Sequence, residues 1–422
     1  MLSLIIHEPV IEGEIVWCDY TYNDVDYRHR FMFTTALDSS DGRLKQLLRW
    51  LSATHALYLF AIEYFTDIRV EFPLSPVEKQ FFEKLTFNGL AEFRQVNHIP
   101  MATTTTYTGP DAVTPDDHRV SSADRHGALL LNGGGKDGCV SATLLENAGI
   151  PFTWFMLNSS TAQDKVAAVS GKPVLKVKRK LDEQRFEGKY SGHRPTSAAI
   201  AICAVITAYV SGMAYVVASN EASANEGNGL IDGVAVNHQY SKSLEFERDF
   251  TDLLTQYNIE VTYFSLLRPL HELQIVELFS RNDRYLEAFT SCNHGFKDGV
   301  WCLACAKCAF VALTLGAISP SAAERVWHEP LTINRPALFP FLQELLDPEV
   351  QKPLECVGTL EECQVAAGMI LQTPLAADLR PEVAALFTKH ALHDPTATGL
   401  VLHTVADDHN IPADFARVLP QI

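Results

Sequence analysis

The chain has 422 residues, 47% hydrophobic and 20% charged, and its 51 acidic residues outnumber its 34 basic ones to leave a net charge of −17. Such a surface repels a phosphate backbone, because most nucleic-acid affinity comes from cations that displace condensed counterions, so a large RNA or DNA partner is disfavoured. The apolar and aromatic content excludes a disordered chain, and the length suggests two or three domains.

The most apolar long run, residues 198–210 (AAIAICAVITAYV), has 13 residues. A bilayer span needs about 20, so the run reads as a buried helix and no membrane association is expected. The first residues, MLSLIIHEPVIEGE, lack the basic segment of a secretory signal. A cytoplasmic location follows as the expectation, with thiols kept reduced.

In chain order, residues 1–120 read as an α+β unit. Residues 10–36 mix β-branched and aromatic residues with polar ones, as half-buried strands do. Residues 43–66 carry Leu47, Leu48, Leu51, Leu57, Leu59, Ile62 and Phe65 on a helical repeat, and 75–97 read as a second helix. The Thr-, Asp-, Pro- and Ser-rich stretch 100–125 reads as a linker. Short apolar runs then alternate with helical patterns. Strands are expected at 127–132, 152–158, 173–180, 214–220 and 261–267, and helices at 138–148, 161–169, 195–211 and 244–257. That alternation predicts an α/β fold: a parallel five-stranded sheet with helices on both faces. Domains are expected at 1–120, 121–320 and 321–422, the last mostly helical.

Between the first strand and helix of this core lies Asn132-Gly133-Gly134-Gly135-Lys136-Asp137-Gly138. Consecutive glycines let backbone N–H groups converge on phosphate oxygens. The helix N-terminus adds partial positive charge, Lys136 adds a full one, and Asp137 can hold Mg²⁺. The spacing is not that of a Walker A loop; the bland alternative is an ordinary strand-to-helix turn. The segment Gly133 to Gly138 resembles the PP-loop of ATP pyrophosphatases, written S-G-G-x-D-S, with Gly133 and Gly138 in place of the two serines. Ser219-Asn220-Glu221, Asn237-His238-Gln239-Tyr240-Ser241-Lys242, Gly192-His193 and Trp301-Cys302-x-x-Cys305-Ala306-Lys307-Cys308 extend the likeness. Together these blocks, over about 127–317, resemble the MurL-type UDP-N-acetylmuramoyl-L-alanyl-L-glutamate epimerases.

The resemblance implies a PP-loop (adenine-nucleotide alpha-hydrolase-like) core with ATP and Mg²⁺, and a UDP-linked muropeptide as substrate. It implies that the terminal L-Glu becomes D-Glu while ATP goes to AMP and pyrophosphate in peptidoglycan synthesis. Removing the α-hydrogen beside a free carboxylate makes a dianion. Adenylation removes the carboxylate charge and turns the carbonyl into an electron sink, so a base can take the proton. An oxazolone formed by the N-acyl group is an alternative intermediate. The alternative functions are a PP-loop adenylating ligase, an epimerase of another carboxylate or peptide, and a catalytically idle nucleotide-binding protein.

The loop residues Asn132 to Gly138 are the candidates for nucleotide binding. Lys136, Asp137, Glu221, His238, Lys242 and Glu245 are the candidates for chemistry. Glu221 follows a parallel strand, on the edge where ligands bind. His238 and Lys242 share a face if their segment is helical. Glu245 and Glu247 either take part or merely favour a helix dipole. The basic run Lys172, Lys176, Lys178, Arg179 and Lys180 attracts the diphosphate or lies on a solvated strand edge. His193 and Arg194 are further candidates for an anion. Cys292, Cys302, Cys305 and Cys308 have the spacing of a structural Zn²⁺ site. Their alternatives are helix packing, or a pair of thiols flanking the α-carbon.

Overall fold

The computed structural model describes residues 3–112, 125–182, 188–227, 229–329 and 331–420. Four strands, β1 (Leu4–Ile6), β2 (Val10–Glu12), β3 (Ile15–Tyr22) and β4 (Val25–Met32), open the chain. Asn23 and Asp24, both at positive φ, make the tight turn between β3 and β4. Helix α1 (Gly42–His55) starts where the Asp41 carboxylate accepts from the N–H groups of Arg43 and Leu44. The helix expected over 43–66 stops at His55, and a 3₁₀ turn over Ala56–Ala61 carries the remaining apolar residues inward. Strand β5 (Asp67–Val70) follows, then α2 (Pro76–Gly89), which begins with a capping box between Ser75 and Glu78. The second expected helix also divides. Leu90 leaves helical geometry (φ −105°, ψ 18°), and α3 (Ala91–Val96) continues in a new direction. The expected linker contributes an edge strand, β6 (Thr106–Thr108), paired parallel to β5. Part of that linker, 113–124, lies outside the described residues.

The alternating region supplies β7 (Ala128–Leu131), α4 (Lys136–Asn147), β8 (Phe152–Leu157), α5 (Thr161–Ser170), β9 (Val174–Lys180), α6 (Thr196–Val210) and β10 (Tyr215–Ala218). A small hairpin of β11 (Gly229–Ile231) and β12 (Val234–Val236) precedes α7 (Leu244–Gln256) and β13 (Thr262–Ser265). The five expected strands are all present and mutually parallel, in the order β13-β10-β7-β8-β9. The sheet itself is larger than five strands. The far edge of β9 pairs antiparallel with β4, so the N-terminal strands continue it to eleven. The basic run on β9 is therefore not on a sheet edge. Lys176 pairs with Asp164 at 2.7 Å, Lys172 with Glu146 at 3.4 Å, and Arg179 donates to the Tyr58 hydroxyl at 2.8 Å.

Alternation along the strands sends side chains to two cores. Leu129, Phe155, Val216 and Tyr263 join α1, α6, α7 and the N-terminal strands on one face. Ala128, Leu130, Trp154, Val217 and Phe264 pack on the other face against α4, α8 (Glu272–Ser280) and α9 (Ala306–Ile318). The described residues after 270 contain helices and no strand. They include α10 (Pro320–Trp327), α11 (Phe339–Leu346), α12 (Leu360–Leu371), α13 (Pro381–His390), α14 (Pro395–His403) and α15 (Ala413–Ala416). Among the described residues no helix is long and apolar enough to cross a membrane.

Glu78 ties α1, α2 and the end of α7 together. Its buried carboxylate accepts from Trp50 Nε1 at 2.7 Å, the Tyr257 hydroxyl at 2.5 Å and the Ser75 N–H at 2.8 Å. Glu78→Leu orphans all three donors and is expected to cost about 3 kcal/mol or more. Chemical denaturation should show that loss, with a smaller one for Glu78→Gln.

Candidate active site

Counted from β7, the parallel strands run 3-2-1-4-5, so the winding reverses between β7 and β10. Open α/β sheets bind ligands at that switch point, beyond the carboxyl ends of the strands. A cavity of about 410 Å³ lies there, within the range of small-molecule sites. The loop after β7 forms its middle. Gly134 has φ +69°, and a side chain there would press on Ala162, Gln163 and Phe296 at 3.0–3.1 Å. A Cβ on Gly135 would meet the Ser291 hydroxyl at 2.8 Å. Gly134 therefore requires glycine, while at Gly135 the Ser291 hydroxyl would have to turn away. Asn132 braces the turn: its Oδ1 accepts the Gly134 N–H at 2.8 Å, and its amide donates to the Gln163 carbonyl at 3.0 Å. With Gly135 as its N-cap and no side chain capping it, α4 turns its first N–H groups toward the cavity.

The two walls differ in chemistry. On the β8 side, Leu131, Phe155, Leu157 and Ile200 line the cavity; on the β10 side stand Glu221, Lys242, Lys307 and Cys356. Of the candidates read from the sequence, Asn132, Gly133, Gly135, Asp137, Gly138, Glu221 and Lys242 thus come together around one space. Lys136 does not face it. Its ammonium is buried beneath the loop between Asp137 and Glu272. Burial alone would lower its pKa, but the two carboxylates outweigh burial and hold it above the usual lysine value. Asp137 is held below the usual carboxylate range. Burial opposes that, and the charges of Lys136, Lys307 and Lys242 prevail. Glu272 is pushed up, first by burial and then by Asp137 and Glu221.

His238 and Glu245 lie apart from the cavity. The segment holding His238 and Lys242 is not one helix: a single 3₁₀ turn, Tyr240–Lys242, separates them. His238 lines a small adjoining pocket with Glu92, and burial pushes it down to about 4 while Glu92 opposes. Its imidazole is neutral at pH 7. Burial does the same to His193, with His238, Lys242 and Arg194 adding to it. Arg194 lies over the Phe93 ring. Glu245, at the exposed start of α7, pairs with Lys84 at 2.7 Å. Glu247 is buried against Arg268.

Arg268, Glu272, Lys307 and Cys356 were not among the sequence candidates. Arg268 is the hub of the charged wall. Its guanidinium donates to the Glu221 carbonyl at 2.9 Å and the Lys242 carbonyl at 2.5 Å, and pairs with Glu247 at 3.2 Å. It sits three residues beyond β13, at the same sheet end as Glu221, which was a readable signal. Glu272 and Cys356 had none, because α8 and the 350s read only as helical surroundings.

Cys292, Cys302, Cys305 and Cys308 place their sulfurs within 4.8 Å of one another. The Cys302 and Cys308 sulfurs are 3.8 Å apart, as two thiolates bound to one ion by bonds of about 2.3 Å in a tetrahedron would be. Backbone N–H groups of Gly295 and Cys302 donate to Cys292 Sγ, and that of Ala304 donates to Cys302 Sγ, the support that metal thiolates receive. The donor set fits Zn²⁺. Reduced protein never exposed to chelator should carry about one equivalent; metal analysis finding none would leave the four thiols to packing.

Residues 11–266 match the family model described as the MurL N-terminal domain, and 288–398 match the MurL C-terminal domain. A relative from Micromonospora sp. is 32% identical over 97% of this chain and 95% of its own length. One from Salinispora tropica is 33% identical over 85% of this chain and 82% of its own. One from Xanthomonas oryzae pv. oryzae is 34% identical over 58% and 56%. All three are named UDP-N-acetyl-alpha-D-muramoyl-L-alanyl-L-glutamate epimerase. No solved structure matches the chain. With both domain models of one family matched, and a relative a third identical along nearly the whole length, the chain belongs to the MurL family.

Proposed function

We propose that the chain is a cytoplasmic ATP-dependent epimerase with a PP-loop catalytic core. It adenylates the terminal L-Glu α-carboxylate of UDP-MurNAc-L-Ala-L-Glu, inverts the α-carbon and hydrolyses the acyl-adenylate to AMP and the D-Glu product. The observation that carries this reading is the glycine loop at the β7/β10 switch point, with an apolar wall on one side and a charged wall on the other. The names of the relatives support the substrate.

The residues suit the triphosphate. Gly133 has nothing within 4 Å of where a Cβ would stand, so phosphate oxygens can approach its backbone. The apolar wall from β8 suits the base of the nucleotide. Asp137 would hold Mg²⁺, which neutralises charge as the α–β bond breaks. The opposite wall then receives the carboxylate to be activated. Lys242 and Lys307 present ammonium groups there, and among the described residues neither has an ion-pair partner. They draw the carboxylate in and stabilise the negative charge that develops on its carbonyl oxygen. Lys136, held beneath the loop, fixes the Asp137 carboxylate rather than touching phosphate.

Incubation with ATP, Mg²⁺ and UDP-MurNAc-L-Ala-L-Glu in D₂O should release AMP and pyrophosphate and place deuterium at the Glu α-carbon. Stoichiometric ADP and phosphate would overturn the assignment. Asp137→Asn should lose AMP formation and exchange together, since activation must precede α-proton loss, and should lower stability in denaturation because buried Lys136 is left with Glu272 alone.

The glycine at 138 can also be tested. A Cβ there would meet nothing closer than the Leu131 carbonyl at 3.7 Å, so the serine of the wider PP-loop pattern fits. Gly138→Ser should retain activity and lower the KM for ATP. One hydroxyl bond to a charged phosphate is worth about 1.5 kcal/mol, or roughly tenfold. A KM that rises would show that the glycine is required there.

A further inference from the structure

The epimerase reading leaves open which group handles the α-proton. That group must stand where the activated carboxyl lies, on the charged wall, and must accept a proton at neutral pH. Glu245 is exposed and paired with Lys84, and His238 lies in a separate pocket. Cys356 was never a candidate, yet its side chain lines the cavity beside Lys242 and Lys307.

Its setting differs from that of every other cysteine in the chain. Cys18, Cys139, Cys203 and Cys363 are fully buried in the cores, and Cys292, Cys302, Cys305 and Cys308 are gathered in the zinc-type cluster. Cys356 alone is partly exposed outside that cluster. The Lys242 ammonium donates to its sulfur at 2.8 Å. A thiolate is the form of cysteine that accepts a proton, and the contact with Lys242 fixes where this sulfur stands. Two further bonds fix the segment: Lys307 Nζ donates to the Cys356 carbonyl, and the Glu355 carboxylate accepts the Lys307 N–H at 3.0 Å. From the other side, Arg268 holds the Lys242 carbonyl. Both halves of the pair are thus anchored to the wall that faces the phosphate loop. Lys242 and Lys307 share the cavity with the Asp137 and Glu221 carboxylates, and among the described residues neither lysine forms an ion pair, so an anionic ligand can lie between them. The activated glutamate is such a ligand, and it brings its α-hydrogen beside the sulfur.

We propose that Cys356, held against Lys242, is the base that removes the α-proton of the adenylated glutamyl residue. This rests on the epimerase reading. The Cα–H bond breaks, an S–H bond forms, and the C–H electron pair moves onto the carbonyl oxygen of the acyl-adenylate as an enolate. Return of that pair to carbon takes up a solvent-derived proton on the opposite face. The thiol then gives its proton to solvent, so each turnover exchanges one hydrogen and consumes no oxidant or reductant.

The test uses the full-length protein, and compares AMP release with deuterium incorporation at the Glu α-carbon. Cys356→Ala and Cys356→Ser should lose exchange by about 100-fold or more while AMP release continues, because the stranded acyl-adenylate hydrolyses with L-Glu unchanged. Exchange that stays within a few-fold of wild type, or AMP release and exchange that fall in parallel, overturns the role of Cys356. If neither variant folds, iodoacetamide on the wild-type protein with mass mapping decides. Alkylation at Cys356 should abolish exchange, and ATP with substrate should protect the thiol; alkylation that leaves exchange intact overturns the proposal. Wild-type protein that shows neither AMP nor exchange overturns the epimerase reading itself, and with it this one.

Discussion

The Lys136 ammonium, buried between the Asp137 and Glu272 carboxylates, is the contact on which the rest of the site depends. A lone charge in that place would cost several kcal/mol, so its partners must be held close. Asp137 comes from the same loop, but Glu272 opens α8, more than a hundred residues on. The Glu272 N–H in turn donates to Glu362 at 2.6 Å, and the other oxygen of Glu362 accepts the Thr359 N–H at 2.7 Å at the start of α12. One line of buried polar contacts thus runs from the phosphate loop through α8 to α12. The residues just ahead of α12 are those that carry Cys356 to the cavity. The C-terminal helices are fastened to the loop by charge, and through it they deliver a side chain.

The chain is acidic overall, and the entry of an anionic substrate needs an explanation. Lys242 and Lys307 stand in a concave site with apolar matter behind them, where field lines concentrate. Other basic residues near the core have acidic partners, as Lys176 has Asp164 and Lys172 has Glu146. Two lysines held in such a recess act on an incoming anion more strongly at short range than the dispersed negative surface does.

The alternation of apolar runs and helical periods located all five parallel strands, because buried parallel strands read as continuous apolar segments. The glycine loop was legible for a similarly local reason: the positive φ of Gly134 is a demand of the turn itself. The eleven-stranded extent was not legible. It depends on β4 meeting β9, a pairing of Phe31 with Arg179 that no local pattern encodes. The burial of Lys136 was not legible, because a lysine in a phosphate loop looks the same whether it points out or in, and its partner Glu272 is distant in sequence. Cys356 was overlooked because a single cysteine in a polar stretch has no periodicity. His238 was grouped with Lys242 on an assumed helix, and their segment holds only the short turn Tyr240–Lys242.

The junction of β4 with β9 also bears on how the chain is made. Arg30 must find Lys180, and Met32 must find Lys178, so a growing chain exposes one flank of the β3–β4 hairpin until about 150 further residues have emerged. Unpaired strand edges invite pairing with other chains, and sheets closed by such distant contacts form slowly. Within the hairpin, Arg28 on β4 is already paired with Asp19 on β3 at 2.6 Å, so β3 and β4 can hold each other in register during that wait.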